Sequence, residues 1–493
     1  MLFNSLEFLI FFPIVFLVYG IIPKKIRYMW LLLASCFFYM CWNPYYMLLM
    51  LLSIAITYAS GRFIEYFQKK EDILKCKIVV FVSFATNLGI LAFFKYSIWL
   101  IESIGHVLNR TITVPYSIVL PVGISFYTFQ ALGYTVDVYR KDISAEKNFF
   151  RYALFVSFFP QLVAGPIERS KNLLNQLRDL DKVKVWNYER VSKGIIYMMW
   201  GFFLKLVIAD RVAILVNTVF DNYVLYGTVE LIAAAIGFAI QIYCDFGSYS
   251  IIAIGAAKII GVELMENFLT PYFSKSIKEF WRRWHVSLSS WLKDYLYIPL
   301  GGNRCTKVRK YVNLLITFLV SGLWHGANWT YVAWGGIHGV YQIIESELQP
   351  FVDKINKKLN TKTASISYRL GQAVVTFILV DIAWIFFRAD SITNALNYIV
   401  RIFTRWNPWA LFDGSLYNIG LNQTEWHILI VALIVLLIVS LLKHYKNLNI
   451  DQFLETQCSW FRYIVVLGMF AAVIVYGIYG KGFDSSQFIY FQF

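Results

Sequence analysis

The chain has 493 residues and a formal net charge of +15; 58% of them are hydrophobic, 18% aromatic and only 15% charged. A soluble domain carries about 25% charged residues, so this composition excludes a soluble enzyme. The positive charge is set against a membrane before any nucleic acid is considered.

Apolar runs at Leu6 to Ile22, Ile26 to Trp42, Ile78 to Leu100, Leu231 to Tyr243, His427 to Leu442 and Tyr463 to Tyr479 mark the chain as polytopic. They approach or exceed the ~20 residues that cross ~30 Å of hydrocarbon as helix. The N-terminus has Glu7 at its first run and no basic flank of a cleaved signal peptide, so the first segment is expected to be a permanent span. Lys and Arg gather in cytoplasmic loops. Lys24, Lys25 and Arg27 therefore mark an inner loop, Cys41 to Tyr46 an outer one, and Arg62, Lys69, Lys70, Lys75 and Lys77 an inner one again. Tyr152 to Ile167 is short and holds Pro160 and Pro166 between two basic stretches, which predicts a re-entrant hairpin. Tyr311 to Trp329 and Tyr331 to Ile344 are expected to go out and back, and Trp406 to Trp426 to lie outside. This alternation gives about twelve crossings with both termini extracytoplasmic. No repeat or low-complexity linker interrupts the chain, so 1–493 is treated as one domain, with an aromatic tail at 481–493. The six cysteines show no CxxC spacing, and neither a metal site nor a disulfide framework is expected.

An ionisable residue within lipid is a functional candidate. His325 lies in SGLWHGANWTYVAWGGIHG, Ser321 to Gly339, among five glycines and three tryptophans. Counted from Tyr311, it stands roughly 21 Å up its helix, past the bilayer midplane. Burial disfavours an imidazolium, so a neutral ring able to act as general base is expected; a core histidine bonded across a helix pair is the plainer alternative. Pro271 to Arg304 reads as an amphipathic helix ending at Pro299, with Ile277, Trp281, Trp284, Leu288, Trp291, Leu292 and Tyr295 on its apolar stripe. An interfacial helix with basic anchors explains it, yet His285 falls on the apolar side, placed to serve a thiol or carbonyl arriving from the cytoplasm. Arg282, Arg283, Arg304, Lys307, Arg309 and Lys310 form a rim suited to a phosphorylated donor or to anionic lipid headgroups. Asp245 opens DFGSYS without any other kinase element, and a hydrogen bond to the pathway lining or to a neighbouring helix end is its expected role. Tyr490, in the terminal FIYFQF, is either part of an interfacial aromatic cap or a phenol able to relay an acyl group.

QLVAGPIERS (Gln161 to Ser170), QIYCDFGSYSIIAIG (Gln241 to Gly255), FWRRWHVSLSSWLKDYLYIPLGGNR (Phe280 to Arg304), the His325 segment, WIFFRA (Trp384 to Ala389) and the FIYFQF terminus resemble the membrane-bound O-acyltransferases. Within that family they are most similar to the alginate and peptidoglycan O-acetyltransferase branch. The resemblance implies an all-α ring of about twelve tilted helices around a funnel, with a re-entrant hairpin and interfacial amphipathic helices, and a family core at about 115–346. It implies His325 as catalytic histidine and His285 as the second histidine; Tyr490 is the candidate acyl relay from its phenol chemistry alone. Asp245, Trp324, Asn328 and Arg304 are the candidate substrate contacts. The implied activity takes acetyl from a cytoplasmic donor, acetyl-CoA, to an extracytoplasmic polysaccharide in a bacterial plasma membrane. No tightly bound cofactor is implied, and the implied partner is an SGNH (GDSL-like) transferase. The branch commonly reads DFSGYSD, whereas here Gly247 and Ser248 are exchanged and Ile251 replaces the second acid, which puts a polar contact by this segment in doubt. The alternatives are a teichoic acid D-alanyl transferase using a carrier-protein thioester and a transporter without chemistry; paired repeats and coupled intramembrane acids, which a transporter often has, are not evident.

Overall fold

The computed structural model describes residues 1–110, 119–163 and 165–479, and every regular element among them is helical. Among the described residues, six helices are long and apolar enough to cross a membrane: Pro44–Lys69, Ile73–Val107, Thr228–Ile260, Ile366–Arg388, Gln423–Lys446 and Ser459–Tyr476. Other expected crossings fall on helices that are shorter, such as Leu6–Ile21 and Arg27–Met40, or more polar, such as Trp329–Lys358. Phe81, Phe93, Val431, Ile464 and Leu467 all face outward. Large apolar surfaces of this kind suit lipid as solvent.

Local chemistry starts and stops these helices. Ser5, Asn43 and Asp72 each cap a helix by accepting a backbone N–H of the first turn. Asn422 and Glu425 form a capping box on Gln423–Lys446, and Asn447 ends that helix in the left-handed conformation.

The chain divides into two compact units, Met1–Met198 with Tyr249–Met265, and Met199–Ser248 with Glu266–Phe493. In the first, the broken segment expected at 152–167 holds two short helices, Phe149–Ser157 and Phe159–Leu162, buried from Tyr152 onward. Tyr152 donates to Thr57 Oγ1 at 2.7 Å, and its ring packs 4.5 Å from that of Tyr134. Two glycines allow a close helix approach: a Cβ on Gly255 would lie 2.7 Å from the Gly194 carbonyl oxygen. In a loop of this unit, Glu146 is buried and accepts from the N–H groups of Lys147 and Asn148 at 3.0 Å. It also pairs with Arg178 at 2.8 Å and Arg151 at 3.5 Å.

In the second unit, the single amphipathic helix expected at Pro271 to Pro299 is replaced by Ile277–Arg283, a break, Val286–Leu292 and a π-helical turn Lys293–Tyr297. Ile277, Trp281, Trp284, Leu288, Trp291 and Leu292 of the expected stripe are buried, whereas Tyr295, on the π-helical turn, is half-buried. The break sits at His285, whose φ of 44° is left-handed. Residues 267–269 pair there with the chain: Leu269 N–H donates to Arg283 O, and Val286 N–H to Asn267 O. The span expected from Tyr311 to Trp329 also ends early. Lys307–His325 terminates at His325, Gly326 is extended, and Asn328 caps Trp329–Lys358 by accepting from Thr330 N–H.

Burial alone would raise the Glu146 carboxyl, but the Asn148 N–H and the guanidinium groups of Arg178 and Arg151 hold it below its ordinary value. Its stabilisation is therefore present above the unfolded value and lost as pH falls through the lowered folded one. Glu146→Gln is expected to cost about 2 kcal/mol at neutral pH, from charge-assisted bonds, and to flatten the acid limb of the stability curve. Thermal unfolding in detergent across pH checks both.

Candidate active site

Helix packing places His325. A Cβ on Gly322 would lie 2.2 Å from the Tyr331 carbonyl oxygen, and one on Gly335 2.2 Å from the Phe318 carbonyl oxygen. Lys307–His325 and Trp329–Lys358 thus meet backbone to backbone, and the expected glycines serve helix contact. His325, at the end of the first helix, is 4% exposed. Its ring centroid lies 5.0 Å from Trp324, 5.1 Å from Trp334 and 5.3 Å from Phe387.

The break in the amphipathic segment brings the second histidine beside it. His285 is fully buried, its ring 6.3 Å from that of His325 and 5.7 Å from Trp324. Phe246 closes another side at 4.7 Å. Asn267 Oδ1 lies 3.1 Å from His285 Nδ1, 3.2 Å from Ser287 N and 2.8 Å from Ser287 Oγ. His285 Nε2 has no hydrogen-bond partner among the described residues. A third histidine lies beyond Trp334: Trp281 Nε1–H donates to His338 Nδ1 at 3.2 Å. Indole donates only, so the neutral His338 ring carries its proton on Nε2. Two adjacent imidazoles in an aromatic, water-poor box have the chemistry for moving a proton between groups that enter it.

The family model described as MBOAT, membrane-bound O-acyltransferase family, matches residues 18–389. The chain belongs to that family. A probable alginate O-acetylase AlgI of Pseudomonas aeruginosa is 36% identical over 453 residues, covering 91% of this chain and 83% of the relative. A peptidoglycan O-acetyltransferase of Helicobacter pylori is 32% identical over 429 residues, with 81% and 79% coverage. A teichoic acid D-alanyltransferase of Bacillus subtilis is 27% identical over 282 residues, 53% of this chain and 67% of the relative. This multi-pass O-acyltransferase is an enzyme, which sets the transporter alternative aside.

The expected site residues of the acyltransferase separate into two groups. His325, His285 and Trp324 come together. Arg304 is exposed and precedes Lys307–His325, whose first residue is itself roughly 27 Å of helix rise from the histidine. Asn328 is occupied as a helix cap and donates to Asp390 O at 3.2 Å. Tyr490 lies outside the described residues. Asn267, Ser287, Trp334 and Phe387 were not among the expected site residues. Asn267 and Ser287 are 20 positions apart and have no local pattern in common, whereas Trp334 was visible in the glycine-rich segment and Phe387 in WIFFRA.

Asp245 has a different setting from the one expected of it. Lys205, on the π-helical turn Phe203–Ala209, pairs with Asp210 and Asp245 at 2.7 Å each, and all three are buried. The cation bonds to both acids, Asp210 nearby in the sequence and Asp245 on the separate helix Thr228–Ile260. Asp245 adjoins Phe246, so the ion triad fixes the turn of helix whose ring packs on His285. Lys205→Met leaves two buried carboxylates without their cation and is expected to lower stability by about 3–5 kcal/mol. Adding Asp245→Asn should restore part of that loss. Detergent unfolding of the single and double variants checks the coupling, and equal losses would sink it.

Proposed function

We propose that this enzyme transfers acetyl from a cytoplasmic thioester, acetyl-CoA, toward hydroxyls of an extracytoplasmic polysaccharide, with His325 as general base. The observation that carries the reading is the buried His325–His285 pair in a chain 36% identical to an alginate O-acetylase. The hydroxyl oxygen attacks the thioester carbonyl carbon while His325 takes its proton. The carbon–sulfur bond then breaks, the ester forms, and the sulfur leaves as thiol with that proton. General-base assistance of this kind is worth ~10²–10⁴-fold, and confinement adds proximity. In this reading the positive-inside rule favours extracytoplasmic termini, and the bacterial relatives favour a bacterial plasma membrane. The acceptor there is served by an SGNH-type transferase, and Tyr490 is the proposed acyl carrier between the two proteins. The whole chain works as one membrane domain.

In cells carrying His325→Ala, base-labile acetate per sugar is expected to fall at least 100-fold, from the lower bound for a general base, with total polymer unchanged. Unchanged acetate would remove His325 from the chemistry. Tyr490→Phe is expected to abolish polymer acetate at normal protein abundance; normal acetate would remove the relay. Membranes offered acetyl-CoA and, separately, a D-alanyl carrier-protein thioester decide the donor.

A further inference from the structure

The two histidines are held differently, and the difference specifies where a proton can sit. Asn267 Oδ1 receives the Ser287 backbone N–H at 3.2 Å, a group that only donates. The atom there is therefore the amide oxygen. The Ser287 hydroxyl gives its hydrogen to the same oxygen at 2.8 Å, since the alternative, His285 Nδ1, is 3.5 Å away. His285 Nδ1, at 3.1 Å from that oxygen, must then carry a proton. In a neutral ring this leaves the lone pair on Nε2, which is buried and has no partner among the described residues. Asn267, His285 and Ser287 are all fully or almost fully buried, so water does not compete for these bonds.

We infer that Asn267 is a positioning residue that sets His285 as the second member of a two-imidazole proton relay, its Nε2 receiving the proton from His325 and handing it to the leaving sulfur. The inference rests on the acyltransferase reading above. The attacking hydroxyl and the thioester come from opposite faces, so the proton released by one must cross the site to reach the other. It passes from hydroxyl oxygen to His325, from the His325 imidazolium to His285 Nε2, and from there to the thiolate. The carbon–sulfur bond has broken by then, and both rings end neutral. Nδ1–H stays on Asn267 throughout, so one nitrogen both receives and gives. Of the charged groups on the elements packed around His285, Asp245 beside Phe246 pairs with Lys205, Glu266 beside Asn267 with Lys443, and Arg283 with Glu279, while Asp381, on the helix Ile366–Arg388 that supplies Phe387, is a further carboxyl whose buried Oδ1 has no hydrogen-bond partner among the described residues. His325 is the titratable ring facing it.

The test uses membranes containing the full chain and labelled acetyl donors that differ in their sulfur. An aryl thiol leaves without being protonated, whereas the alkyl thiol of coenzyme A benefits from it. Asn267→Ala is expected to slow transfer from acetyl-CoA at least tenfold, less than the ~10²-fold lower bound for losing a proton-transfer group because the His285 ring itself remains, with donor KM within about twofold. Transfer from an aryl thioacetate should stay within about threefold of wild type. Asn267→Asp keeps the oxygen that Ser287 needs and favours the His285 imidazolium, so the acid limb of the rate profile should move to higher pH. Equal slowing with both donors, no slowing with either, or an unmoved acid limb in Asn267→Asp would each overturn the relay. Wild type that transfers from neither thioester would instead overturn the thioester-donor reading, and the relay with it.

Discussion

The backbone contact between Lys307–His325 and Trp329–Lys358 is the constraint on which the site depends. With Cβ positions at Gly322 and Gly335 only 2.2 Å from carbonyl oxygens of the opposite helix, no other residue type fits without separating the pair. In lipid, apolar burial gives helices little reason to associate, so close packing of this kind carries much of the association. Its consequence is positional: the first helix stops at His325, the second begins four residues later, and Trp334 is set against the His325 ring. Trp384 stacks on Trp334 at 5.4 Å, and Phe387 packs against both, so Ile366–Arg388 closes the box.

A second layer of positioning is electrostatic. Lys205 between Asp210 and Asp245 is costly to bury, and removing one member costs more than never having had the set. The pairing needs the π-helical turn, where the wider backbone carries Lys205 within 2.7 Å of both acids. Such turns recur at functional sites, and this one anchors the helix that supplies Phe246 to His285. The exchange of Gly247 and Ser248 relative to the common family pattern falls one turn away. Ser248 Oγ donates to Asp245 O at 2.6 Å, so the hydroxyl is used up inside its own helix.

What was legible in the sequence follows the range of each interaction. The apolar stripe from Ile277 to Leu292 was legible because helical period is local, and the burial of its members agrees. The break at His285 was not, because it is made with Asn267, eighteen residues upstream, and left-handed φ is uncommon for any residue with a side chain. The Lys205 triad joins residues 40 apart and was equally hidden. The early end of the His325 helix is different: Gly326 and the cap residue Asn328 are local stop and start signals, and hydrophobic length alone runs past them.

The histidines also divide by what holds them. Asn267, an amide oxygen, turns His285 into a ring that accepts at Nε2; Trp281, an indole N–H, turns His338 into one that donates there. Neither holder carries a charge, so neither draws its ring into the imidazolium form, which a carboxylate in the same place would do. For chemistry that moves one proton between two neutral reactants, this is the useful arrangement. A ring stabilised as a cation would take the hydroxyl's proton readily and then fail to release it to sulfur. Neutral holders keep the two transfers closer in energy, and the aromatic walls of Trp324, Trp334, Phe387 and Phe246 deny the proton a shorter route through water.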